Sequence, residues 1–324
     1  MSTTVSHSKI KTWRRCRKAF HYKYIEKLRP RRKGRPLVFG SICHEMIEAY
    51  ANGDNPRDIL KKYEEGAKKL FSAEVEEYMQ IIADADLLMQ GYFDYYKKDK
   101  LKFVAIKGKL AEHEFEVELT SGITLKGKID AICRTTDKRV WLGEHKTHKR
   151  IPDEEARFKD LQVVVYASIL PQLGIKHIDG ILWDYIRSSP PSVPKLLKSG
   201  ELSKAQIDTT PAVYLDTIRE HKLNPKDYAE KLKELENNER SFYQRVYMPI
   251  NSTLSKQLLE ETIETAKEIA ERGGKDKTRN ITRDCSWCEY KGLCRAELTG
   301  MDADFIRKRE FEEGEAREET DQQD

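Results

Sequence analysis

Along residues 57–98 apolar side chains recur every three or four positions, in "ILKKYEEGAKKLF" and again in "YMQIIADADLLMQGYFDYY". That spacing predicts helix with one buried stripe. After residue 100 the period shortens. "FVAIKGKLAEHEFEVEL" and "ITLKGKIDAICRT" read as strands joined through Ser121-Gly122, and "RVWLGEHKT" as a third. Residues 154–172 return to helix, "IDGILWDYIRS" (178–188) and "FYQRVYMPI" (242–250) read as strands, and 254–272 as helix. Upstream, residues 6–28 read as a helix with Ser6 or Ser8 as N-cap. "RPRRKGRP" (29–36) reads as a loop, and a second helix starts near Ser41 and runs to about Ala51. Strands gathered between helices predict an α/β chain, a mixed sheet covered on its faces.

Charge divides the chain further. Residues 9–35 hold thirteen Lys/Arg against Glu26 alone, while residues 302–324 hold ten Asp/Glu against four Lys/Arg. The basic segment is interleaved with Trp13, Phe20, Tyr22 and Tyr24, a mixture suited to phosphate contact and base stacking. Trp13, Arg14, Arg15, Arg17, Lys18 and Tyr24 are the candidate nucleic-acid contacts; a solvated amphipathic helix is the plainer alternative. The chain divides into a basic N-terminal helix (1–36), a core (37–188), a polar helical insertion (189–240), a C-terminal strand, helix and cysteine segment (241–300), and an acidic tail (301–324) expected to be disordered. No run of about 18 apolar residues is present. "MSTTVSHSKIKTWRRC" lacks the apolar stretch of a signal peptide, so an intracellular location is expected. There, six cysteines argue for metal binding or free thiols over disulfides.

The chemistry concentrates on one hairpin. If Thr136-Asp137-Lys138 forms a three-residue loop, Thr135 faces Arg139 and Asp130 faces Glu144. Directly opposed side chains share a face, with Cβ atoms about 4.5–5.5 Å apart. Two carboxylates so close repel unless a cation lies between them. Lys146, two residues past Glu144, projects the same way. Asp…Glu-x-Lys suits phosphodiester hydrolysis: magnesium or manganese on the carboxylates, with Lys146 orienting the attacking water or stabilising developing charge. A cross-strand charge cluster without a metal is the alternative. The apolar flanks "AI" and "VWL" favour the site, since charges in a buried sheet are costly. His44, in "FGSICHEMIEAY" behind Ser41, would complete a metal shell, with a surface or satisfied core histidine as the alternative. Gln162 and Tyr166, four apart on a helix, share a face.

These pieces in order, Gly40-Ser-Ile-Cys-His44, Asp130, Glu144-His145-Lys146 and Gln162-Val-Val-Val-Tyr166, resemble the PD-(D/E)XK nuclease superfamily and its RecB-like branch. Ile129, not proline, precedes Asp130. An iron–sulfur subgroup of that branch, which includes CRISPR-associated RecB-like exonucleases, the nuclease part of AddB and viral single-strand exonucleases, is similar at both ends of this chain. It implies Cys16 as fourth ligand to the cluster "CSWCEYKGLC", that is Cys285, Cys288 and Cys294. The implied group is a 4Fe–4S cluster, with a structural zinc as its rival. Cys43 and Cys133 are read as packing.

The resemblance further implies a restriction-endonuclease-like core, with N- and C-terminal segments joined by the four-cysteine cluster. His44, Asp130 and Glu144 would hold Mg2+ or Mn2+, Lys146 would assist water, and Gln162 with Tyr166 would position substrate or strand. The expected activity is a metal-dependent DNA exonuclease acting on single-stranded or frayed ends, in the cytoplasm or a viral host's cytoplasm, with a helicase or recombination protein as a conceivable partner. The alternative is a DNA-end-binding adaptor of a recombination or CRISPR-adaptation complex whose cleavage is incidental.

Overall fold

The computed structural model describes residues 2–314 apart from 33, 69, 71, 159–161, 239 and 240. In chain order its elements are β1 (Thr3–Val5), α1 (His7–Arg15), α2 (Arg17–Phe20), β2 (Leu28–Pro30), α3 (Arg35–Asn52), α4 (Arg57–Ala67), α5 (Ser72–Tyr96), β3 (Lys102–Phe103), β4 (Ala111–Thr120), β5 (Ile123–Arg134) and β6 (Val140–His148). There follow α6 (Glu154–Phe158), α7 (Gln162–Ile169), β7 (Gly180–Arg187), α8 (Pro211–Glu220), α9 (Ala229–Asn238), β8 (Tyr243–Pro249), α10 (Ser252–Arg272), α11 (Lys291–Thr299), α12 (Ala303–Glu310) and β9 (Phe311–Glu313).

The mixed sheet runs β1-β5-β6-β7-β8, with β3 and β4 also pairing β5. β4 alternates as a strand covered on one side should, burying Phe115 and Val117 and exposing Glu114, Glu116 and Glu118. β6 and β7 are buried almost continuously, as strands covered on both faces must be. One apolar cluster joins Val38, Phe39, Ile42 and Met46 of α3 to Ile82, Leu88 and Met89 of α5 and to Ile186 and Tyr243 of the sheet. A second joins Leu142, Ile181 and Trp183 to Val163–Val165 of α7, Leu258 and Ala266 of α10, and Ile10 and Trp13 of α1. Residues 189–238 carry α8 and α9 around a small core of their own, Leu202, Tyr214, Ile218, Tyr228 and Leu235.

The N-terminal region departs from the sequence expectation. Ser6 caps α1, accepting from Lys9 N at 3.3 Å, but the helix stops where Cys16 takes an extended backbone (φ −165, ψ 118). α2 and a π-turn over His21–Ile25 follow. α3 begins at Arg35, six residues before Ser41, because Pro36 occupies its first turn, where the missing N–H costs nothing. His44 therefore lies well inside α3.

The expected stacking surface also fails for most of its members. Trp13 is 0% exposed, donates its indole N–H to Glu268 at 3.0 Å and packs edge-on against Phe20; Phe20 and Tyr22 are buried too. A ring sealed in the core cannot receive a base. Lys18 is buried against Glu297 at 2.9 Å, Arg17 pairs with Glu268 at 3.3 Å, and Arg14 is tied to Thr265 and the Glu261 carbonyl. These cations neutralise α10 and α11. Arg15 and Tyr24 are half-buried, with Tyr24 donating to Ser8.

The two ends of the chain do meet. β2 pairs antiparallel with β9, Lys18 N donates to Thr278 O, and the Tyr290 hydroxyl to Leu28 O. Tyr22, Leu28, Tyr290, Leu293 and Phe311 fill the space between them. The acidic segment is thus ordered through α12 and β9, because Phe311 has a core to enter; residues 315–324 lie outside the described ones.

One row of the sheet is ionic. His145 on β6 neighbours Asp184 on β7, which neighbours Arg245 on β8. His145 Nδ1 donates to Asp184 Oδ2 at 3.1 Å, Tyr92 of α5 donates to the same oxygen, and Arg245 Nε lies 3.3 Å from Oδ1. Arg245 also pairs with Asp99 and stacks on Tyr96 at 3.7 Å. Burial pushes the Asp184 carboxyl up, but Arg245, His145 and Tyr92 outweigh it and hold it at about 2.

Two stability measurements follow. Trp13→Ala should lower the unfolding free energy by about 3–5 kcal/mol in a urea titration, the cost of a lost core indole. For Asp184 the depressed folded pKa means its contribution is complete above the unfolded value near 3.8 and disappears as pH falls towards about 2. Wild type should therefore lose about 2 kcal/mol across that window relative to Asp184→Ala. The variant should itself be destabilised by about 3–5 kcal/mol at neutral pH, since it breaks a buried ion pair, leaving Arg245 with Asp99 alone among the described carboxylates and His145 without its acceptor.

Candidate active site

On one edge of β5 two strands part. β1 pairs with Ile123 to Leu125 and β6 takes over at Ala131, so residues 126–130 have no strand beside them on that edge among the described residues. Asp130 stands at the end of this gap. The β5–β6 register is the one expected from the turn: Thr135 N donates to Arg139 O at 3.0 Å, and the pairs from Arg134–Val140 to Ala131–Gly143 lead to Asp130 opposite Glu144. There the ladder ends. The backbone N–H of His145 donates instead to Asp130 Oδ2 at 2.7 Å.

α3 supplies the imidazole. His44 Nε2 is 3.0 Å from the His145 carbonyl, which can only accept, so Nε2 carries a proton. Nδ1 then faces Glu112 Oε1 at 3.3 Å and Asp130 Oδ1 at 3.7 Å. His44, Glu112 and Asp130, all buried, each offer one ligand atom within 4.8 Å of the others. Glu144 Oε1 lies 2.9 Å from Lys146 Nζ, so these two share a side as their spacing requires.

The electrostatics describe a site overloaded with negative charge. Burial disfavours a charged His44, yet Asp130, Glu112 and Glu144 together raise its pKa to about 9. Burial alone would raise Glu112, but His44 and then Lys128, paired to its other oxygen, hold it down to about 2. Hard oxygen ligands and one imidazole nitrogen suit a divalent cation such as Mg2+ or Mn2+.

Glu112 was not among the residues expected from sequence. It sits on β4 between the pairs Ala111–Ala131 and His113–Ile129, hence opposite Asp130. Its φ of +53 is left-handed, a conformation a Cβ disfavours. Counting from Ser121-Gly122 places Glu112 opposite Ala131, one residue out, because the register shifts between Glu118 and Thr120. The available signal was a glutamate near the far end of a strand paired to Asp130's strand; the shift concealed it. Glu144, expected as a ligand, is within electrostatic reach of His44 but lies outside the tight triad.

Gln162 and Tyr166 stand together as their spacing predicts, Gln162 Nε2 donating to the Tyr166 hydroxyl at 3.2 Å. That hydroxyl would lie 2.6 Å from a Cβ on Gly127, so Tyr166 rests on β5 only because residue 127 has no side chain. Phe115 meets the same ring edge-on at 4.9 Å. The pair thus presses on the strand that leads to Asp130.

Of the six thiols, Cys43 and Cys133 are buried packing residues, and burial pushes both upward, Cys133 to about 12. Cys16, Cys288 and Cys294 border the apolar cluster that joins the chain's ends, while Cys285 is exposed, 3.8 Å from the Asn280 carbonyl. Arg279 Nε donates to Cys294 Sγ at 3.3 Å. The exposed aromatic in this region is Trp287, 90% accessible between Cys285 and Cys288.

No described helix is long and apolar enough to cross a membrane. No curated protein matches the chain. The family model of the PD-(D/E)XK nuclease superfamily, whose members are metal-dependent nucleases, matches residues 4–295, a span that includes the sheet, the acidic triad and the cysteine segment. With His44, Glu112 and Asp130 gathered beside Glu144 and Lys146 at the gap in that sheet, the chain belongs to the PD-(D/E)XK nuclease superfamily.

Proposed function

We propose that the protein is a divalent-metal-dependent DNA exonuclease of the RecB-like branch, acting on single-stranded ends, with a structural 4Fe–4S cluster joining its termini. The observation that carries the catalytic half is the convergence of His44, Glu112 and Asp130 within 4.8 Å, buried beside the Glu144–Lys146 pair. Three carboxylates are sealed beside one imidazole and two lysines, and Mg2+ or Mn2+ would take the place of the His44 proton between Glu112 and Asp130.

His44 Nδ1, Asp130 and Glu112 would hold the ion, with Glu144 reaching it from β6. When bound, the ion supplies Lewis acidity to a phosphate oxygen and a more acidic water. The chain does the rest. The His145 carbonyl fixes the His44 tautomer, leaving Nδ1 available as a ligand. Lys146, held by Glu144, directs its ammonium at the attacking water or at charge growing on the phosphate. Gln162 and Tyr166 keep β5 in place through Gly127. The gap beside residues 126–130, flanked by Lys126 and Lys128, gives a phosphate strand a route to Asp130.

The cysteines are of the kind the proposed cluster needs. Cys16 comes from one end of the chain and Cys288 and Cys294 from the other, against one apolar cluster, with Cys285 outside it. The apolar surroundings of Tyr22 and Leu293, with Arg279 on Cys294, support the iron–sulfur reading. The cluster's role would be structural, holding α2 against α11. Arg15 and the exposed Trp287 flank this region and are the best placed to meet a nucleic-acid strand there.

Two experiments test these assignments. On end-labelled single-stranded DNA with Mg2+ or Mn2+, wild type should shorten the label progressively, chelation should stop it, and Asp130→Asn, Glu144→Gln and Lys146→Ala should each lose at least about a hundredfold in rate, as expected when several kcal/mol of charge stabilisation are removed. Undiminished cutting by Asp130→Asn rejects the site; internal cuts with intact ends reject the exonuclease reading. Protein purified without oxygen should be brown and contain iron and sulfide, and Cys288→Ala should lose both along with thermal stability. Colourless protein carrying one zinc would replace the cluster with a zinc site.

A further inference from the structure

The residue between Glu144 and Lys146 touches the metal site through its backbone and an ionic row of the sheet through its side chain. His145 donates its backbone N–H to Asp130 Oδ2 at 2.7 Å and presents its carbonyl to His44 Nε2 at 3.0 Å. One peptide segment thus touches two of the three residues that converge on the ion. The His145 ring meets the His44 ring edge-on at 5.8 Å, and its Nδ1 donates to Asp184 at 3.1 Å. Asp184 is 1% exposed and is gripped in turn by the Tyr92 hydroxyl and by Arg245, whose guanidinium is bonded to Asp99 and stacked on Tyr96.

β6 needs such an anchor at this point. Its ladder to β5 ends at Ala131–Gly143, so beyond residue 143 β6 is held by the parallel pairing to β7 on one edge and, among the described residues, by the Asp130 carboxylate and the His44 imidazole in place of a strand on the other. Asp130 is a poor clamp by itself, since it carries charge that His44 and Glu112 also feel. A strand free to slide or rotate here would move the His145 N–H and carbonyl together, and both ligands with them.

We propose that the row His145–Asp184–Arg245, closed by Tyr92, is a positioning device for the metal site: it anchors the His145 side chain so that the His145 backbone, and the ring set edge-on against His44, hold Asp130 and His44 in ligating geometry. The proposal rests on the metal-site reading above and adds to it four residues that touch neither ion nor substrate. A buried ion pair contributes little net stability compared with apolar packing, so the row is better explained by the position it imposes. Partners of this kind, one step removed from the ligands, set metal affinity by about 10–100-fold.

The test is Mn2+ binding, measured by the electron-paramagnetic-resonance signal of free Mn2+, on the full chain with its fold checked by circular dichroism. His145→Ala should bind Mn2+ about 10–100-fold more weakly, and its cleavage rate should recover substantially at high Mn2+. His145→Asn should restore affinity to within about threefold, because the asparagine amide N–H can stand where Nδ1–H stood. Leu202→Ala, in the separate core of the 189–238 lobe, should lose stability and keep wild-type affinity. Should His145→Ala fail to fold, Tyr92→Phe removes one hydroxyl from the same row and should still weaken Mn2+ several-fold. Wild-type affinity in His145→Ala or in Tyr92→Phe, no rescue by His145→Asn, or an equal loss in Leu202→Ala would each overturn the proposal. A wild type that takes up no Mn2+ would instead sink the metal site, and this proposal with it.

Discussion

Mutual repulsion among Glu112, Asp130 and Glu144, buried around one imidazole, is the constraint to which the surrounding structure answers. Each carboxylate is costly to bury alone, and together they are costlier. The protein answers with partial measures: His44 is driven towards its charged form, Lys128 sits on Glu112, and Lys146 on Glu144. Asp130 is satisfied by a backbone N–H, which brings no positive charge. With His44 charged, three cations face three carboxylates, and the His44 proton shared by Glu112 and Asp130 is the charge that a bound dication would displace.

That constraint explains the irregular geometry of the sheet. A regular β5–β6 ladder would commit the backbone around Asp130 and Glu144 to each other, leaving no room between strands for an ion and a phosphate. Here the ladder stops at Ala131–Gly143, β1 stops at Leu125, and Glu112 takes a left-handed backbone opposite Asp130. Strain of this kind persists only where neighbours over-determine it, and on β4 the pairs on either side of Glu112 do so. Behind the opened strand the ionic row from His145 to Arg245 replaces the lost pairing with a side-chain lock.

How far the sequence disclosed this depended on which signal each residue left. The three-residue turn at Thr136–Lys138 is short and regular, so counting outward set Asp130 opposite Glu144 correctly, and the four-residue spacing of Gln162 and Tyr166 did the same on α7. Glu112 was lost to a one-residue register shift near Thr120, because in a strand a single slip exchanges one partner for the next. The basic segment misled for a different reason. Charge and aromatic content describe what a helix could bind, but not which way it faces, and Trp13 is committed to the core while Arg14, Arg17 and Lys18 serve α10 and α11. The acidic composition after residue 301 concealed Ala303, Ile306 and Phe311, whose apolar side chains pack α12 and β9 against the core between the chain's ends.

The closure of the termini carries its own lesson about the cysteines. The β2–β9 pair, the Tyr22–Tyr290–Leu293–Phe311 packing and the Glu26–Arg307–Glu297 contacts join the two ends. The proposed cluster would add to these a constraint on how the segments lie. Cys16 sits at the one point where the N-terminal helix breaks, between Cys16 N donating to Thr12 O and Phe20 N donating to Cys16 O, so the chain changes direction without losing hydrogen bonds. A ligand at such a corner constrains the directions of α1 and α2 together. Since α1 packs on α10 and α10 on α7, which presses Tyr166 onto β5, that corner is mechanically continuous with the strand carrying Asp130.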